Sequence, residues 1–290
     1  MLRTRFHKPA PGLEQFVRLY VQRDVQIHGA AVVHPVPARA APLIEFDFSD
    51  PVNVLDYEHR AQRKSPPVVV VGSQTYRRVE MHLQGDLESF AIMFQPDGLH
   101  RLFSIPMHEL TDKDYEGHAV LGVSISRLQT RLAECESLEE RACCVDGFLL
   151  DRAIDSHSYV GISAAANRIL LDGGRVEIAD LANHSGLSMR QFERRFVQQV
   201  GVRPKLLARI ARFEAALEDK ARHATKSWTE VAHQFGYYDQ MHMVHDFAEF
   251  TDETPTETLI QLETVFVEQI KTIRSSASPT ESTGGSCLIL

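Results

Sequence analysis

The first third of the chain alternates hydrophobic and polar residues, and most of the remainder repeats hydrophobic residues every three to four positions. The alternation predicts short strands. In residues 42–48 (PLIEFDF), Leu43, Glu45 and Asp47 fall on one side, and Ile44, Phe46 and Phe48 on the other. Residues 66–72 (PPVVVVG) form an apolar run bounded by Pro67 and Gly72. Residues 76–83 alternate again, and residues 88–96 form a further short strand ending at Pro96. Short strands punctuated by Pro and Gly predict a small antiparallel barrel or sandwich. Residues 99–110 predict helical turns broken at Pro106.

From Ser124 the helical period takes over. Residues 124–135 and 137–154 predict paired amphipathic helices, with Leu128 and Leu132 on one face and Val145, Phe148 and Leu149 on another. Those faces fit core packing or a dimer seam equally well. Residues 159–176 predict a further helix that stops at Gly173-Gly174.

Between Ile178 and Phe247 the chain nearly repeats itself. Ile178, Leu181, Ala182 and Gly186 match Trp228, Val231, Ala232 and Gly236, and Phe196 matches Phe247 with one extra residue in the second turn. Helices that cross steeply need a small residue at the crossing, and the tight turn between them needs one that tolerates positive φ. Two matched Ala-x-x-x-Gly units therefore predict two helix-turn-helix units. Ser188 with Gln191 and Ser227 with Glu230 are capping boxes, and Asp239 is placed to cap the last helix of the second unit. The helix starting near Glu177 has no evident cap.

On the second helix of the first unit, Phe192, Phe196 and Val200 form an apolar face, while Arg190, Glu193 and Arg194 lie opposite. An isolated helix would carry such a face as a solvated Arg–Glu pair. In a helix-turn-helix the same face fits a major groove, with Arg on guanine and Glu on cytosine. The second copy turns Met243, Phe247 and Phe250 inward, and Met241, His242, His245 and Glu249 outward, with Gln240 near the helix start. Gln suits adenine and Met a thymine methyl.

Charge refines the picture. The whole chain carries −8. Yet residues 175–213 hold eight Lys/Arg against three Asp/Glu, and residues 214–263 hold three against eleven. Phosphate affinity is thereby expected in the first unit, with Ser188, Arg203, Lys205 and Arg209 as candidate phosphate contacts.

Residues 158–262 resemble the AraC/XylS family of bacterial transcription regulators, most specifically through residues 178–217 and 228–255. The resemblance implies an α+β chain. A β-rich, degenerate cupin-like N-terminal domain precedes an all-α domain of seven helices, in which a long helix (residues 205–221 here) joins two helix-turn-helix units. The expected divisions are 1–122 for a sensor or dimerisation domain, 123–157 for connecting or dimerisation helices, 158–263 for the DNA-binding domain, and 264–290 for a helix end and tail. The resemblance implies base contacts from Arg190, Glu193, Arg194, Gln240, Met241, His242 and His245. The implied partners are operator DNA, RNA polymerase, a small-molecule effector at the N-terminal domain and a second copy of the chain. The second unit departs from the family where a basic stretch and Thr-Gly are usual: Ala248, Glu249 and Asp252 stand there. An acidic second unit that meets a protein such as RNA polymerase is the alternative reading.

Other chemistry is sparse. Cys135, Cys143, Cys144 and Cys287 have neither disulfide-framework nor zinc spacing. His34, His59, His82 and His100 are scattered, so no metal, cofactor or enzyme activity is expected; a cupin-type enzyme is the remaining rival. No apolar run is long enough to span a bilayer, and residues 1–12 lack the apolar core of a secretory signal. A cytoplasmic regulator, with no membrane partner, is expected. The last four residues formally match a prenylation motif, which is more simply the end of a low-complexity tail.

Overall fold

Two long strands organise the N-terminal half. In the computed structural model, which describes residues 2–153 and 160–265, the strands are β1 (Leu2–His7), β2 (Val17–Val36), β3 (Leu43–Asp47), β4 (Asn53–Asp56), β5 (Ala61–Lys64), β6 (Val68–Val71), β7 (Val79–Phe94) and β8 (Asp114–Glu116). They form one antiparallel sheet in the order β1-β2-β7-β3-β6-β8, and β4 pairs with β5 and β7. β2 and β7 pair from Val17–Phe94 to Val36–Val79, with a register shift between Ile27 and Val32. One end of β7 takes β3 as its second neighbour and the other end takes β4.

The sequence pattern splits β7 into two strands, at residues 76–83 and 88–96. The structure joins them, because the polar stretch between still pairs with β2, Ile27 opposite Gly85 and Gln26 opposite Asp86. Ladder bonds are made by the backbone, so a polar run does not end a strand whose neighbour continues.

Short helices follow: α1 (Gly98–Phe103), a 3-10 turn at Met107–Glu109, α2 (Gly117–Leu121), α3 (Val123–Ala133) and α4 (Leu138–Ala153). Ile125, Leu128, Leu132, Val145 and Leu149 share one core with Tyr20, Ile44, Phe46, Phe90, Ile92 and Phe94 of the sheet. Asp146 ties α4 to the sheet by accepting from the Tyr20 hydroxyl at 2.6 Å and the Ala10 amide at 3.1 Å. Those helix faces are therefore core. The division expected at residue 122 corresponds to no break in packing, and the sheet unit extends through Ala153.

The remaining helices are α5 (Val160–Leu171), α6 (Ile178–His184), α7 (Met189–Val200), α8 (Pro204–Arg222), α9 (Trp228–Gln234), α10 (Gln240–Thr251) and α11 (Pro255–Val265). They pack around α8, whose Leu207, Ile210, Phe213 and Leu217 are buried together with Phe192 and Phe196 of α7 and Phe247 and Phe250 of α10. Phe213 meets Phe247 edge-on at 4.8 Å and Phe250 at 5.4 Å. The expected α+β architecture is the one observed.

The two halves share a junction. Ala38 and Ala40 of the sheet unit are buried in the helical core. The Ala38 amide donates to the Phe250 carbonyl at 2.9 Å, and the Ala40 amide to the Glu214 carboxylate at 3.1 Å. The Thr111 hydroxyl donates to the Gly201 carbonyl at 2.9 Å, and Arg77 pairs with Glu253 at 2.8 Å. The sheet unit thus holds the C-terminal ends of α7 and α10 and the middle of α8.

Candidate nucleic-acid interface

Both units fold as tightly crossing helix pairs. Ala182 and Ala232 are buried at the crossings, and Gly186 and Gly236 turn the chain at φ +65° and +71°. Ser188 caps α7 and Ser227 caps α9 through complete capping boxes, and the Asp239 carboxylate caps α10 by accepting from the His242 amide at 2.7 Å. Glu177, at the start of α6, makes no side-chain cap.

The caps fix the register between the two second helices. Ser188 lies two residues after Gly186, whereas Asp239 lies three after Gly236. Counted from the caps, Met241 occupies the place of Arg190, Val244 that of Glu193, and His245 that of Arg194. Phe247 takes the place of Phe196.

On α7, Arg190, Glu193, Arg194 and Arg195 are exposed, and none of their side chains makes a hydrogen bond or ion pair with another described residue. The solvated Arg–Glu pair of the isolated-helix reading is not formed. Two guanidinium groups and a carboxylate stand together on one open face, a set that suits guanine and cytosine edges. Arg203 and Lys205 are exposed at the start of α8. The Ser188 hydroxyl is engaged within the cap, donating to the Gln191 side-chain oxygen at 3.0 Å and accepting from the Gln191 amide at 3.4 Å. It serves as a cap rather than as an open phosphate donor.

Arg209 differs from expectation. Its guanidinium is held by Asp246 at 2.7 Å and by Glu249, both on α10, and it lies 5.1 Å from the centre of the Phe250 ring. The hydrogen bonds it donates to Glu249 and to Asp246 raise its pKa. The basic segment after the recognition helix made it a candidate phosphate contact, but it turns toward the second unit, where Asp246 and Glu249 hold it.

On α10, Met241 and His245 are exposed, and Gln240 is exposed while its side-chain oxygen accepts from the Thr229 hydroxyl at 2.7 Å. His242 is half-buried, its ring edge-on to Tyr237 at 5.5 Å. At the third helical position it borders the inward Met243, so it packs instead of facing outward. Tyr238, which the sequence reading passed over, is 92% exposed in the turn ahead of Asp239. Its signal was the extra residue in that turn.

The four scattered histidines have four separate settings. His34 is buried, and its pKa is pushed down to about 3 by burial and by Arg23 and Arg39. His59 meets Asp56 and His82 meets Glu80, while the His100 ring donates to the Ile105 carbonyl. Among the described residues, no three His, Cys, Asp or Glu side chains are gathered as a metal site, and no helix is long and apolar enough to cross a membrane. Cys287 and the tail lie outside the described residues.

Residues 181–261 match a family described as a helix-turn-helix domain, and that domain is of the AraC type. The C-terminal part of the chain is an AraC/XylS-type DNA-binding domain. The chain therefore carries the DNA-binding domain of a transcription regulator, and that domain points away from an enzyme. Residues 5–116 match a domain of unknown function (DUF6597). No curated protein matches the chain.

Among solved structures, ToxT from Vibrio cholerae O395 is 11% identical with a TM-score of 0.46, covering 90% of this chain and 98% of its own. Unsaturated fatty acid-bound ToxT from strain SCE256 is 12% identical, with a TM-score of 0.45 and coverage of 83% and 94%. The AraC-like transcriptional activator CuxR is 11% identical, with a TM-score of 0.27 and coverage of 74% and 86%.

Proposed function

We propose that this regulator binds a specific operator by laying α7 and α10 into successive major grooves, about one helical turn apart. Arg190, Glu193 and Arg194 meet base edges in the first groove, and Arg203 and Lys205 neutralise flanking phosphates. Gln240, Met241 and His245 meet the second groove. His242 supports the fold of that unit, and Arg209 fixes α10 against α8. The observation that carries this reading is the open face of Arg190, Glu193 and Arg194 on the second helix of a helix-turn-helix, with no internal partner among the described residues.

The sheet unit receives a small-molecule effector, and the shared junction passes its effect to the reader. RNA polymerase and a second copy of the chain are the protein partners this reading names, and the cytoplasm is where it acts. Selecting bound fragments from random duplex DNA with the full chain tests the proposal. One enriched sequence is expected. Retention of all sequences alike, or of none, would overturn it.

The strongly acidic second unit, eleven Asp/Glu against three Lys/Arg over residues 214–263, favours a second reading in which that unit meets RNA polymerase. In that case Gln240, Met241 and His245 leave base preference untouched.

A further inference from the structure

The outward surface of the second unit has a composition that neither the fold nor phosphate binding explains. Tyr238 is 92% exposed and Met241 is 58% exposed. Single exposed apolar residues are common on protein surfaces. Here, however, two large ones flank one helix start, one just before the Asp239 cap and one two residues after it. The cap register puts Met241 where the first unit presents Arg190. His245 stands in the place of Arg194, and α10 carries no Lys or Arg. Along α7 the same surface is built from guanidinium groups. The two units therefore present different chemistry to the same side of the repeat.

We infer that the second unit reads thymine by apolar contact, with Met241 against the C5-methyl group and Tyr238 enclosing that contact from the turn. The inference rests on the DNA-binding mode proposed above. The major groove offers one exposed apolar group per A·T pair, the thymine methyl, and apolar side chains recognise it. An unbranched, polarisable thioether adapts to such a contact. The tyrosine ring excludes water from one side, and its hydroxyl remains at the wet edge. The two grooves are then read by different physics, charged hydrogen bonds in the first and methyl burial in the second. Apolar contact releases no counterions, so the second unit adds sequence preference with little salt dependence.

The test uses the full chain and a duplex enriched by it from random DNA. Each thymine is replaced in turn by uracil, which lacks only the methyl group, and affinity is measured by fluorescence anisotropy. At one or two positions, the native chain loses about fourfold in affinity per methyl, the fold-change expected from burying one such group. Met241→Ala loses the same on the thymine duplex and no longer distinguishes uracil from thymine at those positions. Tyr238→Ala narrows the difference. Both side chains are exposed, so the variants keep the fold, and an unchanged thermal melt checks this. The sensitive positions lie about one helical turn from those where Arg194→Ala relaxes preference.

Uracil duplexes that bind as tightly as thymine duplexes would overturn the inference, as would equal discrimination by Met241→Ala. If Arg194→Ala still relaxes one base pair in either case, the failure belongs to the methyl contact alone. If Met241→Ala leaves DNA affinity intact but abolishes binding to RNA polymerase, the surface is a protein interface and the inference is wrong. A chain that enriches no sequence at all removes the underlying DNA reading as well.

Discussion

The backbone amide of Ala40, in the sheet unit, donates to the carboxylate of Glu214, in the middle of the long α8 helix, at 3.1 Å. The two residues are 174 positions apart, and both are buried. Burial pushes the Glu214 carboxyl up from its ordinary value. A carboxylate there is tolerable because it satisfies an amide that water cannot reach. Glu214→Ala leaves that amide unpaired and is expected to cost about 1–3 kcal/mol. Urea unfolding of the full chain measures it. A variant as stable as the native chain would mean that the bond contributes nothing to joining the two halves.

Arg209 provides a second test, which separates structure from DNA contact. Asp246 is only 2% exposed, and Arg209 neutralises it. Removing one partner of a fully buried pair costs about 3–5 kcal/mol. Arg209 is 29% exposed, so Arg209→Ala is expected to cost less, about 2–3 kcal/mol, and to leave the salt dependence of DNA binding unchanged. Arg203→Ala and Lys205→Ala are expected to lower the log–log salt slope by about 0.9 each with little effect on stability. The same slope change in Arg209→Ala would return that residue to the phosphate-contacting group.

Gly174 shows where a glycine is required by packing as well as by conformation. It sits at φ +71°, and a Cβ there would lie 1.8 Å from the Ala208 carbonyl oxygen on α8. Gly186 has a similar φ of +65°, but nothing would approach its Cβ. Gly186→Ala is expected to cost about 1–2 kcal/mol, the penalty of left-handed backbone. Gly174→Ala should cost several kcal/mol, because α8 must move away. Thermal melts of the two variants rank them; equal losses would mean that the close approach to α8 is relaxed without cost.

Asp47 links stability to pH. Burial, and then the neighbouring Glu45 carboxylate, push its carboxyl up to about 7. An acid whose folded value lies above its unfolded one binds more protons when folded. Its contribution is full below the ordinary carboxylate range, about 4, and declines as pH rises to about 7. Asp47→Asn cannot ionise and escapes that decline. Melting temperatures of the two chains should differ little near pH 4 and favour the variant near pH 8. A gap independent of pH would show that ionisation of Asp47 is not the cause.

The helix-turn-helix units were legible because their signals are local. Capping pairs three residues apart, a glycine at each turn and an alanine at each crossing are fixed by backbone geometry within a few positions. The charged face of α7 followed from periodicity alone. The sheet unit was less legible. β2 runs for 20 residues with an exposed middle, so its side chains show no clean alternation, and its existence depends on pairing with β7. The Arg209 guanidinium shows the limit on the site. Sequence shows a cation near the recognition helix but not that Asp246 and Glu249 come to meet it from another helix. His242 shows the same limit more narrowly, since one helical position separates an outward ring from one packed on Tyr237. The Ala40–Glu214 contact left no trace in the sequence, because nothing in an alanine marks its amide as the partner of a distant carboxylate.

The most direct test of the account is the affinity of native chain and Arg194→Ala for a selected duplex and its single-base-pair variants. The account predicts a loss of about 1–3 kcal/mol on the selected duplex and a relaxed preference at one base pair, the others unchanged. An equal loss on every duplex, or none, would contradict the claim that the open face of α7 reads base pairs.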